Sequence, residues 1–361
     1  MKVVVLAGGT STERAVSIVS GTGICTALRQ KGHLAVLVDI FCGTEVVDWE
    51  NPFPEEYDVE QASAYMKSFD EKIREMQKVR RNFFGPNVLE LCRQADIVFL
   101  GLHGANGEDG KVQAAFDLMG IKYTGTGYLS SAMAMDKGIT KEMFRMHHVP
   151  TPAGTTMEKK DYTVDLSVLG LEFPVVVKTC CGGSCIGVYI ADNQADYEKA
   201  LKDAFTYENE VVVEKCIHGT EYTVAVVDGE AYPVVEIVPC EGFYNYENKY
   251  KPGATREICP APISPELTKK MQDYAVRGYH ALGLESYARL DFMMTEDEEM
   301  FCLEANTLPG MTPTSLIPQE AQALGIDYPS LCEELIRVSM KKYEQAFLGK
   351  SMALKTEPHE I

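Results

Sequence analysis

Residues 2–7 form a continuous apolar run, the pattern of a parallel strand buried on both faces. Gly8-Gly9-Thr10-Ser11-Thr12 breaks the run as a tight turn, and Val16, Val19, Ile24 and Leu28 then recur at helical spacing. Residues 35–40 and 97–102 give two more strands. Between them, residues 42–96 interrupt the simple alternation and read as a peripheral insertion with a charged helical stretch around Asp70–Arg81. Residues 173–178 form a strand that ends in Lys178 and runs into a glycine-rich hairpin over 179–188. Residues 210–217 leave that region as a further strand. Residues 222–227 and 232–238 read as an antiparallel pair joined at Asp228-Gly229, a strong hairpin signal. The segment 243–250 carries four aromatics without a strand period and is either a lid over a site or a structural loop. Ser264-Pro265 starts a helix, with Leu267, Met271, Tyr274 and Ala281 as its buried stripe. Residues 315–345 are helical, and 350–361 read as a frayed tail.

Two strands near the C-terminus organise the rest. In Ala288–Phe292, alternation puts Arg289 and Asp291 on one face. In 301–306 it puts Glu304 and Asn306 together, with Cys302 on the side of Glu304 and with Phe301 and Leu303 opposite. The short polar segment 295–299 suits a hairpin loop, so one surface would carry Arg289, Asp291, Glu304 and Asn306. Two carboxylates and an amide oxygen suit magnesium, which completes its shell with water and substrate phosphates. An acidic, solvated sheet face is the rival reading.

Composition narrows the partners. The 361 residues allow two or three domains. We expect boundaries of 1–127, 128–214 and 215–361. A hydrophobic content of 45% and a charged content of 24% are those of an ordinary globular protein. The net charge of −19 argues against nucleic acid or anionic membrane as a main partner. No apolar run is long enough for a spanning helix, and the apolar start is too short for a signal peptide. The 11 cysteines have no metal-like spacing and read as reduced, mostly buried, cytosolic thiols. No internal repeat is present.

Candidate chemistry sits at the strand ends. The first strand–glycine–helix unit suits an anion or small polar ligand, but the Gly-x-Gly-x-x-Gly dinucleotide fingerprint is absent. Glu13 either caps the helix in a box with Thr10 or holds an ammonium group. Leu102-His103-Gly104, with Gly107-Glu108-Asp109-Gly110, marks a crevice loop in which His103 either orients a neighbour or is structural. Lys178 before the glycine-rich hairpin suits nucleotide phosphates, though not as a Walker A loop; a solvated lysine is the alternative.

In order, the motifs Gly8-Gly9-Thr10-Ser11-Thr12-Glu13, Leu102-His103-Gly104, Met135-Asp136-Lys137, Val177-Lys178 with Gly183-Ser184, Glu214 with Gly219 and Glu221, Phe243-Tyr244 with Lys249-Tyr250, Arg289 with Asp291, and Glu304-Ala305-Asn306 through Met311-Thr312 resemble the D-alanine–D-alanine ligases of the ATP-grasp superfamily. The resemblance covers nearly the whole chain apart from 42–96 and the tail. It implies an α/β chain with α+β elements: a three-domain ATP-grasp ligase with an N-terminal Rossmann-like parallel-sheet domain. It further implies a cytoplasmic enzyme of peptidoglycan synthesis that uses ATP and two Mg²⁺ or Mn²⁺ ions and joins two D-alanines through an acyl phosphate. A homodimer is the oligomer it implies.

By the same resemblance, Asp291, Glu304 and Asn306 hold the metal ions. Lys137, Lys178 and Lys249 contact phosphates, while Glu214, Lys215, Ile217 and Glu221 bind the nucleoside. Glu13 holds the first D-alanine's ammonium. Ser184 and Tyr250 join Glu13 in a polar triad, and His103 lies at the substrate. Arg289 and the Gly310 amide form an oxyanion hole, and Ser315 and Leu316 receive the second D-alanine's carboxylate. The Lys249-Tyr250 pair, with tyrosine where ester-forming relatives commonly carry histidine, implies an amine acceptor. This chain departs from the family pattern at Thr179, Cys185, Thr220 and Asn245. Cys185 beside a phosphate site would be oxidisable if its pKa were depressed. The competing readings are a D-alanine–D-serine ligase of the same fold, a weakened nucleotide-binding regulatory protein and, on the N-terminal unit alone, a dinucleotide oxidoreductase.

Overall fold

The structure is a computed structural model that describes residues 1–182, 187–239 and 255–353, with side chains to residue 344. Three sheets carry the chain. The first is parallel, with β1 (Lys2–Ala7) between β2 (Leu34–Asp39) and β3 (Ile97–Leu100). Its residues are buried along nearly their whole length, as the unbroken apolar run requires. Helix α1 (Arg14–Gln30) crosses between β1 and β2. Gly21 lets it lie flat on the sheet, since a Cβ there would stand 2.5 Å from the Ala7 methyl. The helix buries Ile18, Ile24 and Leu28, whereas Val16 and Val19 from the expected stripe face a cavity. The box of Thr10 and Glu13 is not formed: Glu13 stands at the N-cap and its side chain makes no cap bond.

The insertion packs against this sheet through α2 (Val59–Lys67), α3 (Ile73–Val79) and α4 (Val88–Gln94). Arg14 latches it, bonding Asp39 at 2.6 Å, Asp70 at 2.8 Å and the Met66 carbonyl at 2.8 Å. After β3 come α5 (Lys111–Met119), α6 (Tyr128–Met135) and α7 (Lys137–Met146). Asp136 caps α7 by accepting from the Ile139 amide, so Lys137 falls in the first turn.

The second sheet has the order β4 (Gly154–Glu158), β7 (Glu210–Lys215), β5 (Val175–Thr179) and β6 (Val188–Ala191), antiparallel throughout, with α8 (Gln194–Ala204) between β6 and β7. The third runs β11 (Thr255–Ile258), β10 (Val235–Pro239), β8 (Thr220–Val227), β12 (Tyr287–Met294) and β13 (Met300–Asn306). The strand expected over 232–238 starts three residues later, at Val235, and a separate short strand precedes the expected range. Glu230–Ala231 (β9) completes the Asp228-Gly229 hairpin, and Pro233, which has no N–H to give a ladder, separates it from β10. The Ala225 amide is met instead by the Glu320 carboxylate at 2.7 Å. Helix α9 (Pro265–Ala281), capped by Ser264, covers one face of this sheet. Helices α10 (Leu316–Ala323) and α11 (Tyr328–Ala353) bring Ile317 and Leu335 into one core with α1 and β1. Nine cysteines among the described residues are free thiols, and most are buried. The aromatic segment 243–250 and residues 354–361 lie outside the described residues.

Candidate active site

The β12–β13 hairpin forms as its alternation predicts, with Arg289 opposite Asn306 and Asp291 opposite Glu304. One detail is different. The register shifts after Asp291, so Phe292 faces Cys302 and Leu303 is an extra residue. Such a bulge turns the strand over locally. Cys302 therefore packs into the core with Leu290 and Phe292, on the face away from Glu304, rather than beside it. The bulge brings Glu304 and Asn306 to the face of Asp291.

That face is already wired. Arg289 forks onto Asp291, Nε to Oδ1 and one terminal nitrogen to Oδ2, both at 2.8 Å. Thr223 donates to Oδ1 at 2.6 Å and Asn306 to Oδ2 at 2.9 Å. A carboxylate has about four lone-pair sites and these four bonds fill them, so a cation joining Asp291 displaces one of the donors. The donor set still fits a divalent ion of the magnesium type: two carboxylates, an amide oxygen and room for phosphate oxygens. Among the described residues no three His, Cys, Asp or Glu come together, so the remaining ligands would come from the nucleotide and water.

In front of this face lies a cavity of about 620 Å³, lined by Glu13, His103, Arg289, Gly310, Ser315 and Leu316 among others. His103 is buried, its Nδ1 3.0 Å from the Leu308 carbonyl and its Nε2 3.1 Å from Ser20 Oγ. The carbonyl can only accept, so Nδ1 carries the proton. Burial lowers the pKa and keeps the ring neutral. Glu108 joins two loops, accepting from the Gly104 amide at 2.7 Å and the Leu308 amide at 3.2 Å. Burial, helped by nearby Glu13, pushes its carboxyl up to about 8. Ser315 is the N-cap residue of α10, and its hydroxyl accepts from the Thr312 amide at 3.0 Å.

A second cavity, of about 290 Å³, lies between the second and third sheets. Lys178, Glu214, Lys215, Ile217 and Glu221 line it, as does Asp291. Glu214 is almost wholly buried between two lysines, Lys178 at 2.5 Å on one oxygen and Lys141 at 2.5 Å on the other. Burial works against its ionisation, but the two cations hold its pKa below the ordinary value. Burial lowers Lys141 in turn, against the pull of Glu214. Of the two lysines, Lys178 lines this cavity.

Lys137, Gly182 and Glu304 line both cavities. Lys137 Nζ donates to the Gly182 carbonyl at 2.7 Å and pairs with Glu304 at 3.3 Å. The two cavities thus adjoin at a cation and a carboxylate, where a phosphoryl group can pass from one ligand to another.

The structure brings together all the expected site residues within the described range. Ser184, Cys185, Lys249 and Tyr250 lie outside it. Sequence reasoning assigned no role to Glu108, Lys141, Thr223 or Glu257. Lys141 had one local signal, its place one helical turn after Lys137. Thr223 and Glu257 had none, because their partners are distant in the chain.

Two family models match: "D-ala D-ala ligase N-terminus" over residues 2–126 and "D-ala D-ala ligase C-terminus" over 142–337. The D-alanine–D-alanine ligase of Pediococcus pentosaceus is 43% identical, covering 96% of this chain and 99% of its own. That of Lacticaseibacillus casei is 42% identical, covering 95% and 97%. Among solved structures, the Bacillus anthracis ligase complexed with ATP superposes with a TM-score of 0.74 at 29% identity, covering 96% of this chain and 99% of that one. The Coxiella burnetii ligase does so with 0.78 at 26%, covering 98% of each.

Proposed function

This chain belongs to the D-alanine–D-alanine ligase family, and from that premise we propose how its own residues activate one D-alanine and join it to a second. The enzyme is an ATP-dependent ligase of ATP-grasp fold that makes D-alanyl-D-alanine, ADP and phosphate for peptidoglycan synthesis. The observation that carries the residue assignment is the shared wall of Lys137 and Glu304 between the two cavities.

A carboxylate resists attack by an amine, so its oxygen must first become part of a better leaving group. ATP belongs in the smaller cavity, its adenosine toward Glu214, Lys215, Ile217 and Glu221 and its phosphates toward Lys137 and Lys178. Mg²⁺ or Mn²⁺, two ions held by Asp291, Glu304 and Asn306, would neutralise phosphate charge as the γ-phosphoryl group moves. In phosphoryl transfer the protein supplies mainly position and electrostatics.

The first D-alanine lies in the larger cavity with its ammonium at Glu13. One of its carboxylate oxygens attacks the γ-phosphorus, and the β–γ bridging oxygen leaves with ADP. The second D-alanine seats its carboxylate at Ser315 and Leu316, where the first amides of α10 face an anion favourably. Its ammonium gives up a proton to water, the nitrogen attacks the acyl carbon, and phosphate leaves with the oxygen first phosphorylated. Arg289 and the Gly310 amide face the oxyanion. A positioned donor of that kind contributes about 10²–10³ in rate. Neutral His103 donates to Leu308 and so fixes the loop that carries Gly310. Ser184 and Tyr250 belong to the same proposal as partners of Glu13, and Lys249 as a phosphate ligand.

The three-part division at 127 and 214, a cytoplasmic setting and a homodimer complete the reading. Among the described residues no helix is long and apolar enough to cross a membrane. The test is phosphate release with ATP and Mg²⁺, with products identified by mass. Release on D-alanine alone, giving D-alanyl-D-alanine, supports the reading. Release only when D-serine or D-lactate is added would move the chain to the variant ligases.

A further inference from the structure

Four acids line the larger cavity: Glu13, Glu108, Glu257 and Glu304. In the reading above Glu13 takes the donor ammonium. Glu304 pairs with Lys137, and Glu108 accepts two backbone amides. Glu257 has no assignment. It lies on β11 opposite Ile237 of β10, which in turn lies opposite Glu221 of β8, so it shares the sheet face of Glu221 and Asp291. It reaches the cavity on the side of Ser315 and Leu316.

Its surroundings hold the carboxyl group in place. Gln319 of α10 donates one amide nitrogen both to Glu257 Oε2 and, at 2.9 Å, to the Thr314 carbonyl. The acid is thereby tied to the turn that precedes α10. Burial raises its pKa, but Gln319 and the nearby Arg289 act in favour of the ionised form. An acceptor amino acid arrives as a zwitterion. The start of α10 suits its carboxylate, and its ammonium needs an anion close by.

We propose that Glu257 is a specificity-determining residue of the acceptor subsite, its carboxylate drawing in the acceptor's ammonium so that α-amino acids are taken in preference to α-hydroxy acids. The proposal rests on the ligase reading and adds to it a residue that selects amide over ester formation.

The test offers the intact enzyme D-alanine and D-lactate together and measures the ratio of dipeptide to ester by mass. Wild type that forms no ADP with D-alanine contradicts the ligase reading itself. In active enzyme, Glu257→Gln keeps an oxygen for Gln319 but removes the charge. We expect the acceptor KM to rise about tenfold, the amide-to-ester ratio to fall by a similar factor and the ATP KM to hold within about twofold, since tenfold corresponds to ~1.4 kcal/mol, close to the low end for a hydrogen bond to a charged group. Gln319→Ala keeps the charge and cuts the tether, so it should change kcat and leave the ratio in place. An unchanged ratio in Glu257→Gln overturns the proposal. So does a Gln319→Ala enzyme whose ratio falls as far, because the tether alone would then explain it. If Glu257→Gln makes no product, Glu257→Asp decides: a ratio near wild type supports the charge role, and a collapsed ratio overturns it.

Discussion

Asp291 accepts from Arg289, Thr223 and Asn306 at once, and this network fixes the order in which single substitutions should hurt. Glu304→Gln keeps the shape and removes a charge that pairs with Lys137. Turnover should fall at least ~10²-fold, as for loss of one electrostatic group at a transition state, with the protein still folded. Near-normal kinetics across a magnesium titration would remove Glu304 from the metal site. Lys141→Met should act elsewhere. It leaves Glu214 buried with Lys178 as its remaining cation, so Lys178 is drawn away from phosphate. The ATP KM should rise more than the D-alanine KM, and Tm should drop, since breaking a buried pair costs up to about 3–5 kcal/mol. Equal effects on both KM values would contradict this. Arg289, Asp291, Glu304 and Asn306 were legible in the sequence because alternation on neighbouring strands is local information. Lys141 and Glu257 were not, since Glu214 and Gln319 reach them from 73 and 62 residues away.

At the scale of elements, the strands were legible wherever apolar and polar residues alternated or ran unbroken, and α9 was marked by Ser264-Pro265. Two departures are irregularities of pairing, and a third is the break at 324–327 in the stretch expected to be helical over 315–345. Pro233 lies between two separate strands, and Glu320 of α10 fills the ladder position left at Ala225. Leu303 is the extra residue of a bulge, and neither its identity nor its neighbours announce one. The bulge has a consequence that can be measured. Deleting Leu303 would make Cys302 and Glu304 neighbours in a regular ladder, still on opposite faces, so Glu304 should stay opposite Asp291 and the variant should keep its metal dependence, losing only the contact that Leu303 makes with the smaller cavity. Abolished turnover in a folded deletion variant would show that the bulge itself shapes the site.

Across the whole molecule, contacts join the N-terminal part of the chain to the C-terminal part, and the one through Glu108 lies in the wall of the larger cavity. Tyr343 of α11 accepts from the Tyr123 amide at 2.8 Å, Lys342 donates to the Gly125 carbonyl at 2.7 Å, and Glu108 spans from Gly104 to Leu308. The Glu108 link carries a pH signature. Its folded pKa lies above the ordinary carboxyl value, so the folded state holds the proton longer than the unfolded one. The resulting stabilisation is complete below about pH 4.5 and is lost as pH rises toward about 8. Wild type should therefore lose Tm relative to Glu108→Gln between pH 5 and pH 8.5, with the His103 contribution common to both. A difference independent of pH would place Glu108 in an ordinary solvated setting. These links join chain segments some 200 residues apart, which is why local patterns gave the sheets but not the cavity between them.

The central claim is that a D-alanine carboxylate takes the phosphoryl group from ATP where the two cavities meet. D-alanine labelled with ¹⁸O in both carboxyl oxygens tests it directly when the released phosphate is weighed. The account predicts one labelled oxygen per phosphate, carried over from the donor carboxylate. Unlabelled phosphate alongside labelled dipeptide would contradict it.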